Sequence, residues 1–252
     1  MNRVPWLTIL GLAAALATGS AAGAQPRPYI GYVYPAGGQQ GATFPVKLGG
    51  QGLDGVNRVL VTGKGVSAKV VEYLRKIGPQ EVALLREQLT ELKRAVKQGK
   101  GDELEALGHI ARIERRLSEY VNRPACASIA SLVFVEVAIA PDADPGRREL
   151  RLATPRGVSN PLVFQVGQLP EVCRKPMTTC ALQVLGKEEL AVRKRPDDEI
   201  EQSITPPCTV NGQVASGELN FYRFAARKGQ RLVIAAAARQ LIPYIADAVP
   251  GW

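Results

Sequence analysis

The sequence has little of several residue types on which common enzymatic sites depend. Its 252 residues include a single histidine, His109. With one histidine, a two-histidine zinc motif is impossible, and a Ser-His-Asp triad would have to use that residue. His109 falls in a predicted helix, where a lone histidine is far more often a surface or packing residue. We therefore predict no catalytic role for it.

Motifs that bind phosphate or activate a nucleophile are also absent from the sequence. It contains no Gly-x-Ser-x-Gly, no P-loop and no His-Glu-x-x-His. Residues 63–68 resemble a dinucleotide-binding loop, but such a loop must open a helix whose N-terminus faces the pyrophosphate. Lys69, Val70 and Val71 instead continue as a predicted strand. This stretch is therefore predicted to be a glycine hairpin turn.

The densest group of acidic residues does not favour a catalytic pair, because side chains at adjacent positions of a loop splay apart. The densest group is residues 197–201, and a glycosidase would need its two carboxylates held across a cleft. Asp142 and Asp144 lie in a Pro-Gly turn, whereas calcium gathers six to eight oxygens. We predict a solvated acidic run and an ordinary turn, with weak calcium binding as the alternative. The sequence thus predicts no catalytic, cofactor-binding or metal-binding residue, and no enzyme.

The positive charge is not concentrated in any one stretch. The net charge is +9, but basic residues occur in short groups and aromatics make up only 6%. No basic helix interleaved with aromatic residues is present, so nucleic acid is not a predicted partner. A solvated basic surface that touches acidic polysaccharide or anionic lipid headgroups without specificity is the simpler interpretation.

The N-terminus is typical of an export signal. Arg3 precedes an apolar run at residues 7–17, and Ala-Gly-Ala at residues 22–24 offers a cleavage site before Gln25. The apolar run is shorter than the about 20 residues that span a bilayer. An uncleaved anchor is the alternative. We predict a signal peptide over residues 1–24, no transmembrane segment after cleavage, and a location in the periplasm, at the cell surface or outside the cell.

Residues 148–166 give the clearest strand signal. A turn at residues 154–157 separates two alternating runs, which predicts a hairpin with one buried face. The side chains on that face are Leu150, Leu152, Leu162, Phe164 and Val166. We expect this hairpin to form the closing edge of a β-sandwich. Residues 132–139 predict a central strand covered on both sides.

Residues 79–121 predict two helices that form an antiparallel hairpin, with Pro79 in a first turn and Asp102 as a cap. Apolar residues recur at spacings of three and four in each helix. The first stripe is Val82, Leu85, Leu89, Leu92 and Val96, and the second is Leu104, Leu107, Ile110, Ile113, Leu117 and Val121. The hairpin is either a protruding arm that contacts a partner or a self-contained insertion.

Residues 29–172 resemble the immunoglobulin-like IPT/TIG modules of large exported bacterial proteins, notably of planctomycete type. The similarity rests on YIGYVYPAGGQQGATFPVKLGGQGL near the start and on IAPDADPGRRELRLATPRGVSNPLVFQVGQLPEV near the end. In such modules a helical hairpin commonly interrupts the sandwich. The resemblance therefore implies an immunoglobulin-like β-sandwich with an insertion at residues 79–121.

The sequence from Arg195 is similar to the first half of a bacterial pre-peptidase C-terminal (PPC) domain. The matching residues are Asn211, Gly212, Tyr222, Phe224, Lys228, Gly229, Gln230 and Leu232. Arg195 and Asp197 stand where the family's opening motif has Glu and Asn, and Glu218 and Asn220 replace two aspartates. Some relatives bind calcium through that opening segment, so Arg195 argues against calcium here. A closed sandwich needs about 100 residues, so we expect a truncated domain.

Together these features predict a mainly β protein with two β-sandwich modules. Residues 25–172 form the first, residues 173–204 a linker, and residues 205–252 an incomplete PPC-like sandwich that includes a strand at residues 231–237. The predicted function is a non-catalytic binding or structural module for protein or polysaccharide at the cell surface or in the envelope. The alternative is an N-terminal accessory region of a larger secreted hydrolase.

The four cysteines predict two disulfides in an exported chain. They are Cys126, Cys173, Cys180 and Cys208, and three connectivities are open. Cys173 with Cys180 closes a short loop and is the first choice, which leaves Cys126 with Cys208. Four free thiols in non-reducing mass spectrometry would contradict this proposal.

Overall fold

The computed structural model describes residues 27–99, 102–122, 124, 130–179, 195–214, 218–238 and 240–241. The predicted signal peptide lies outside these residues. Strands account for 37% and helices for 21%, which confirms the mainly β class. In the described part of the chain, no helix has the length and apolar character needed to cross a membrane.

The described elements follow the chain in a strand-rich order. The first strands are β1 (Tyr29–Tyr34), β2 (Gly37–Gln39), β3 (Thr43–Gln51), β4 (Arg58–Val61) and β5 (Val66–Leu74). Two helices follow, α1 (Pro79–Lys97) and α2 (Glu103–Ser118). Next come β6 (Ser131–Ile139), β7 (Gly146–Thr154), β8 (Gly157–Val158), β9 (Leu162–Gly167) and β10 (Glu171–Cys173). The last elements are α3 (Asp197–Ile200), β11 (Glu201–Ser203), β12 (Thr209–Asn211) and β13 (Phe221–Arg223).

The first sheet is antiparallel, with the strand order β1-β3-β6-β5. As predicted, β6 is an inner strand covered on both faces. Val133, Val135 and Val137 are at most 1% exposed on its inner side, and Leu132 is 3% exposed on its outer side. The outer face of this sheet is covered around Leu132 and Lys47, whereas Lys69 and Glu136 on the same face are 70% and 45% exposed.

The second sheet has the strand order β2-β9-β7-β4, with β8 paired to β7. β7 and β9 pair antiparallel, which confirms the predicted hairpin, and its five predicted inward side chains are at most 3% exposed. The expected edge position is wrong. β4 pairs with the far side of β7 and β2 with the far side of β9, so the hairpin forms the centre of the sheet. This strand order results from pairing with β2 and β4, which lie far upstream in the sequence.

The two larger sheets share one apolar core. Val46, Leu48 and Val135 from the first sheet pack in the same cluster as residues of β7 and β9. The rings of Phe44 and Phe164 stack across the core with centroids 6.4 Å apart. Burial of this apolar area is the main source of stability for the fold.

The prediction of a glycine hairpin turn at residues 63–68 is wrong: the chain bends at residues 63–65, residues 66–68 already belong to β5, and the bend does not connect a hairpin. β4 belongs to the second sheet and β5 to the first, so the loop crosses between sheets. Gly63 and Gly65 have φ values of 84° and 80°, in the region that favours glycine. A Cβ on Gly65 would lie 2.6 Å from the Cβ of Ala143. The positive φ values of Gly63 and Gly65 allow the chain to bend here, and the missing Cβ of Gly65 allows its backbone to pack closely against Ala143.

We expect Gly65→Ala to lower the free energy of unfolding by about 2–4 kcal/mol, since a left-handed conformation and overpacking each cost about 1–3 kcal/mol. Gly99→Ala is the matched control, because Gly99 has a φ of 61° and no atom within 4 Å of its added Cβ. Its cost should be about 1–2 kcal/mol. Urea denaturation followed by circular dichroism measures both, and equal losses would contradict the packing argument.

Helices α1 and α2 are called the helical segment below. Asp102 accepts hydrogen bonds from the backbone nitrogens of Leu104 (2.9 Å) and Glu105 (3.2 Å), which confirms the predicted cap. The predicted stripe of α1 is its less exposed face. The stripe of α2 is wrong at its start, since Leu104 and Leu107 are 81% and 46% exposed. Burial on α2 begins only at Ile110, because its first turns lie beyond the packed surface.

The C-terminal strands form two small parallel pairs, β10 with β12 and β11 with β13. β13 contains Tyr222, one of the residues that carry the PPC resemblance. The strand predicted at residues 231–237 is wrong, because none of these residues joins a ladder with a described strand. Val233 and Ile234 are 84% and 83% exposed. Residues 231–237 do have the alternating pattern of a strand. An extended segment becomes a strand only when a neighbouring segment supplies hydrogen bonds to its backbone.

Candidate functional site: a polar junction on the outer face of the first sheet

The residues considered for catalysis or metal binding do not converge. His109 is 43% exposed on α2, and its Nε2 lies 3.6 Å from a carboxylate oxygen of Glu105 one turn away. The acidic residues 197–199 are exposed on the single turn of α3. Within the described ranges, no three His, Cys, Asp or Glu side chains are arranged to hold a metal ion.

Two of the four cysteines lie in the described part of the chain. Cys173 ends β10 and Cys208 precedes β12, and both are free thiols there. Their proposed partners, Cys180 and Cys126, lie outside the described residues, so the pairing stays a prediction. Burial and the negative charge of Glu171 raise the pKa of the Cys173 thiol. A raised pKa makes the reduced thiol less reactive near neutral pH.

Glu171→Gln should therefore speed alkylation of Cys173 in the reduced protein at pH 8. Removal of the carboxylate lowers the thiol pKa and raises the thiolate fraction, for an increase of about twofold or more. Peptide-resolved mass spectrometry after iodoacetamide pulses gives the rate for each cysteine. Cys208 is the internal control, and an equal acceleration at Cys208 would contradict this explanation.

A buried ion pair joins β3 to the end of the helical segment. Lys47 points to the outer face of the first sheet, opposite Tyr34 and Phe134 on the neighbouring strands. Its Nζ donates to both carboxylate oxygens of Glu119, at 2.7 and 2.8 Å, and to the carbonyl of Met177 at 2.8 Å. The side chains of Lys47 and Glu119 are 3% and 11% exposed.

Glu119 also binds the chain that follows β10. Its Oε2 accepts hydrogen bonds from the backbone nitrogen of Thr179 at 2.8 Å and from the Thr179 hydroxyl at 2.6 Å. One carboxylate thus connects three segments that are distant in the sequence. On the same sheet face, Arg115 of α2 stacks over Phe134 at 4.0 Å and pairs with Glu72 of β5 at 2.9 Å.

Arg174 connects the strand pairs at the C-terminal side. Its Nε donates to the hydroxyl of Tyr222 at 2.9 Å, and its guanidinium lies 4.8 Å from the centre of that ring. Its terminal nitrogens donate to three carbonyl oxygens, those of Glu199, Ile200 and Phe221. A planar guanidinium with five donors suits such a multiple contact better than an ammonium.

Arg195 makes a second guanidinium contact set beside the first. It donates to the carbonyl of Leu219 at 2.9 Å, to the carbonyl of Glu199 at 2.5 Å and to Oδ1 of Asn220 at 2.7 Å. The carboxylate of Glu218 lies 3.5 Å away. Arg195 therefore supplies a positive charge to the surrounding carbonyl, amide and carboxylate oxygens.

Hydrogen bonds continue from Lys47 to Arg195 through the intervening chain. Met177, whose carbonyl binds Lys47, donates its N–H to Oε1 of Gln213 at 3.0 Å. Asn220 donates to the carbonyl of Gln213 at 2.7 Å and accepts from Arg195. We call this set of residues, from Glu119 through Lys47 to Arg195, the polar junction.

Tyr34 binds the same region from β1. Its hydroxyl donates towards the carbonyl oxygens of Arg174 and Asn211, at 2.7 and 3.1 Å. Burial raises the pKa of the Tyr34 hydroxyl well above its usual range, so it remains a neutral donor.

The polar junction has the chemistry of a structural contact. Its charged groups face one another or backbone carbonyls, so each is engaged within the protein. Sequence reasoning missed these residues. A lysine between Val46 and Leu48 is what alternation predicts for a solvent-facing position of a strand, so the sequence gives no signal that Lys47 is buried. No protein-family model matches the chain, and no curated protein is similar to it.

Proposed function

We propose that this chain is an exported, non-catalytic protein of the cell surface or envelope that binds protein or polysaccharide. In this proposal an immunoglobulin-like β-sandwich carries an antiparallel helical hairpin and is followed by part of a PPC-like sandwich. The export signal and the family resemblances described above are the sequence basis for it.

The polar junction is the observation that carries the proposal. It joins the helical segment, the first sheet and the C-terminal strands through Glu119, Lys47 and Arg195. Charged side chains committed to internal contacts suit a scaffold that holds its outer surfaces in fixed positions. Binding modules work in this way, since rigid elements position exposed surface residues.

Cell fractionation with N-terminal sequencing tests the location. We expect the native protein in the envelope or the medium, with Gln25 as its first residue. A cytosolic protein that begins at Met1 would contradict the proposal. A panel of protein and polysaccharide ligands tests the rest, since binding without turnover is expected and release of any cleavage product would contradict a non-catalytic role.

The alternative function is an accessory region of a larger secreted hydrolase. It is supported by the exposed apolar residues of the C-terminal part, among which Leu219 is 68% and Phe221 51% exposed, together with Val233 and Ile234. Exposed apolar groups of this kind mark a surface that further polypeptide covers. Mass spectrometry of the native protein distinguishes the two, since a product much larger than 27.1 kDa favours the alternative.

A further inference from the structure

The outer face of the second sheet carries a group of cations. Pairing registers place Arg58 opposite Ala153 and Leu60 opposite Arg151. Leu150 and Leu152 point into the core at 0% exposure, so Arg147, Glu149 and Arg151 alternate onto the outer side. Lys64 is exposed in the loop after β4, two residues past Thr62, whose backbone nitrogen donates to the carbonyl of Glu149. We call Arg58, Lys64, Arg147 and Arg151 the basic face.

The cations of this face are exposed, in contrast to Lys47 on the outer face of the first sheet. Arg58, Lys64 and Arg147 are exposed, and Arg151 is 36% exposed. Glu149 is the one acidic side chain among the outward residues of β4, β7 and β9, and it pairs with Arg151 at 2.9 Å. Arg58, Lys64 and Arg147 form no ion pair with a described residue. The basic face therefore keeps a net positive charge.

Cations elsewhere on the two larger sheets and the helical segment are more often neutralised. Lys69 pairs with Glu136, Lys93 with Glu114, and Arg115 with Glu72, at distances of 2.6 to 2.9 Å. Arg75, Arg94 and Arg116 also have acidic partners. The helical segment also carries cations that pair with no described residue, Arg86, Lys97 and Arg112, but the unpaired cations of the basic face lie together along the exposed strands β4 and β7 and the loop after β4.

The spacing of these cations suits an extended anionic polymer. Arg147 and Arg151 are four positions apart along β7, which corresponds to a distance of about 13 Å. Arg58 extends the row of cations across to β4. Guanidinium groups form paired hydrogen bonds with carboxylate and sulfate oxygens, and a flat row of them follows a linear chain of such groups.

The chemistry of the face favours polysaccharide over other polyanions. None of the outward residues of β4, β7 and β9 is aromatic, so the stacking that binds single-stranded nucleic acid is missing there. Membrane-surface binding uses exposed apolar side chains beside the cations. Of the large apolar side chains here, Leu60 is half-buried and Val163 is 3% exposed, and Val158 of β8, opposite Ala153, is 51% exposed. A single exposed valine is a small apolar area compared with the apolar face of a membrane-binding helix.

We infer that the basic face is a binding surface for an acidic polysaccharide that carries carboxylate or sulfate groups. This inference rests on the proposed function, for which it names the ligand class and the surface. Affinity should fall with added salt, because the attraction is electrostatic and exposed.

The test compares two triple variants of the full-length protein, expressed from its own gene. Each variant loses three positive charges. Arg58→Gln/Lys64→Gln/Arg147→Gln removes the unpaired cations of the basic face. Arg86→Gln/Lys97→Gln/Arg112→Gln removes three exposed cations of the helical segment and is the control. Binding to polygalacturonate, dextran sulfate and neutral dextran is measured by titration calorimetry, with an oligothymidylate and phosphatidylcholine–phosphatidylserine vesicles as competing ligand classes. Circular dichroism verifies that both variants fold.

We expect the wild-type chain to bind polygalacturonate or dextran sulfate and not neutral dextran. The basic-face variant should lose affinity about tenfold or more, and the control variant about twofold or less. Equal losses in both variants, no binding by the wild type, or tighter binding to the oligonucleotide or the vesicles would overturn the inference. Those results would leave the proposed function standing, because fractionation and the turnover assay test it independently.

Discussion

Lys47→Ala is expected to lower the free energy of unfolding by about 3–5 kcal/mol. The substitution leaves the Glu119 carboxylate nearly buried without the ammonium that both of its oxygens accept from. It also removes the donor to the Met177 carbonyl. The cost comes mainly from the uncompensated charge, and urea denaturation followed by circular dichroism measures it.

Two further variants separate charge burial from a general loss of contacts. Lys69→Ala removes the 2.7 Å pair with Glu136, whose side chains are 70% and 45% exposed, and should cost about 1 kcal/mol or less. Lys47→Met/Glu119→Leu removes both buried charges and should recover part of the lost stability, because the Thr179 donors and the Met177 carbonyl lose their partners. If Lys47→Ala proved no more harmful than Lys69→Ala, the junction would not have the role assigned to it.

Arg174→Ala is expected to release the C-terminal strands while leaving the two larger sheets folded. Hydrogen bonds from a charged donor contribute about 1.5–3 kcal/mol each, and Arg174 makes four, to Tyr222 and three carbonyls. A local loss of about 3 kcal/mol corresponds to about hundredfold faster amide exchange. Hydrogen–deuterium exchange should show this in β11 and β13 and no change in β6 and β7.

The controls for Arg174 use a neighbouring arginine and a conservative change. Arg223 pairs with Glu201 at 2.8 Å between the same two strands, but its side chain is 73% exposed. Arg223→Ala should therefore change exchange in β11 little. Arg174→Lys keeps the charge and loses the forked geometry, so an intermediate effect is expected. Uniform acceleration across β6 and β7 would show that Arg174 stabilises the whole fold instead.

Local patterns in the sequence predicted individual elements well. Alternation identified the strands around Val135 and Leu150, since a half-buried strand must place every second side chain in the core. Spacings of three and four identified α1 and α2 for the analogous reason. The order of strands within each sheet was not predictable in this way, because it depends on pairings between residues about 90 positions apart, such as Arg58 with Ala153.

The polar junction lay beyond what local patterns reveal. Lys47 and Glu119 are 72 positions apart, and Tyr34 and Asn211 are 177 apart. Nothing near Glu119 in the sequence distinguishes it from the solvated glutamates earlier on the same helices. Its role arises only when α2 docks on the first sheet and brings the carboxylate over Lys47.

The parallel pairing of β10 with β12 has a mechanical consequence. The chain enters β10 from the two larger sheets and leaves β12 towards the C-terminal residues. Tension between these two parts would slide one strand along the other, so the ladder bonds would share the force and break together. An antiparallel pair joined by a turn would instead peel apart one bond at a time. If the protein is attached through its C-terminal part and a ligand bound to the larger sheets exerts a pulling force, the pair of β10 and β12 would therefore resist extension.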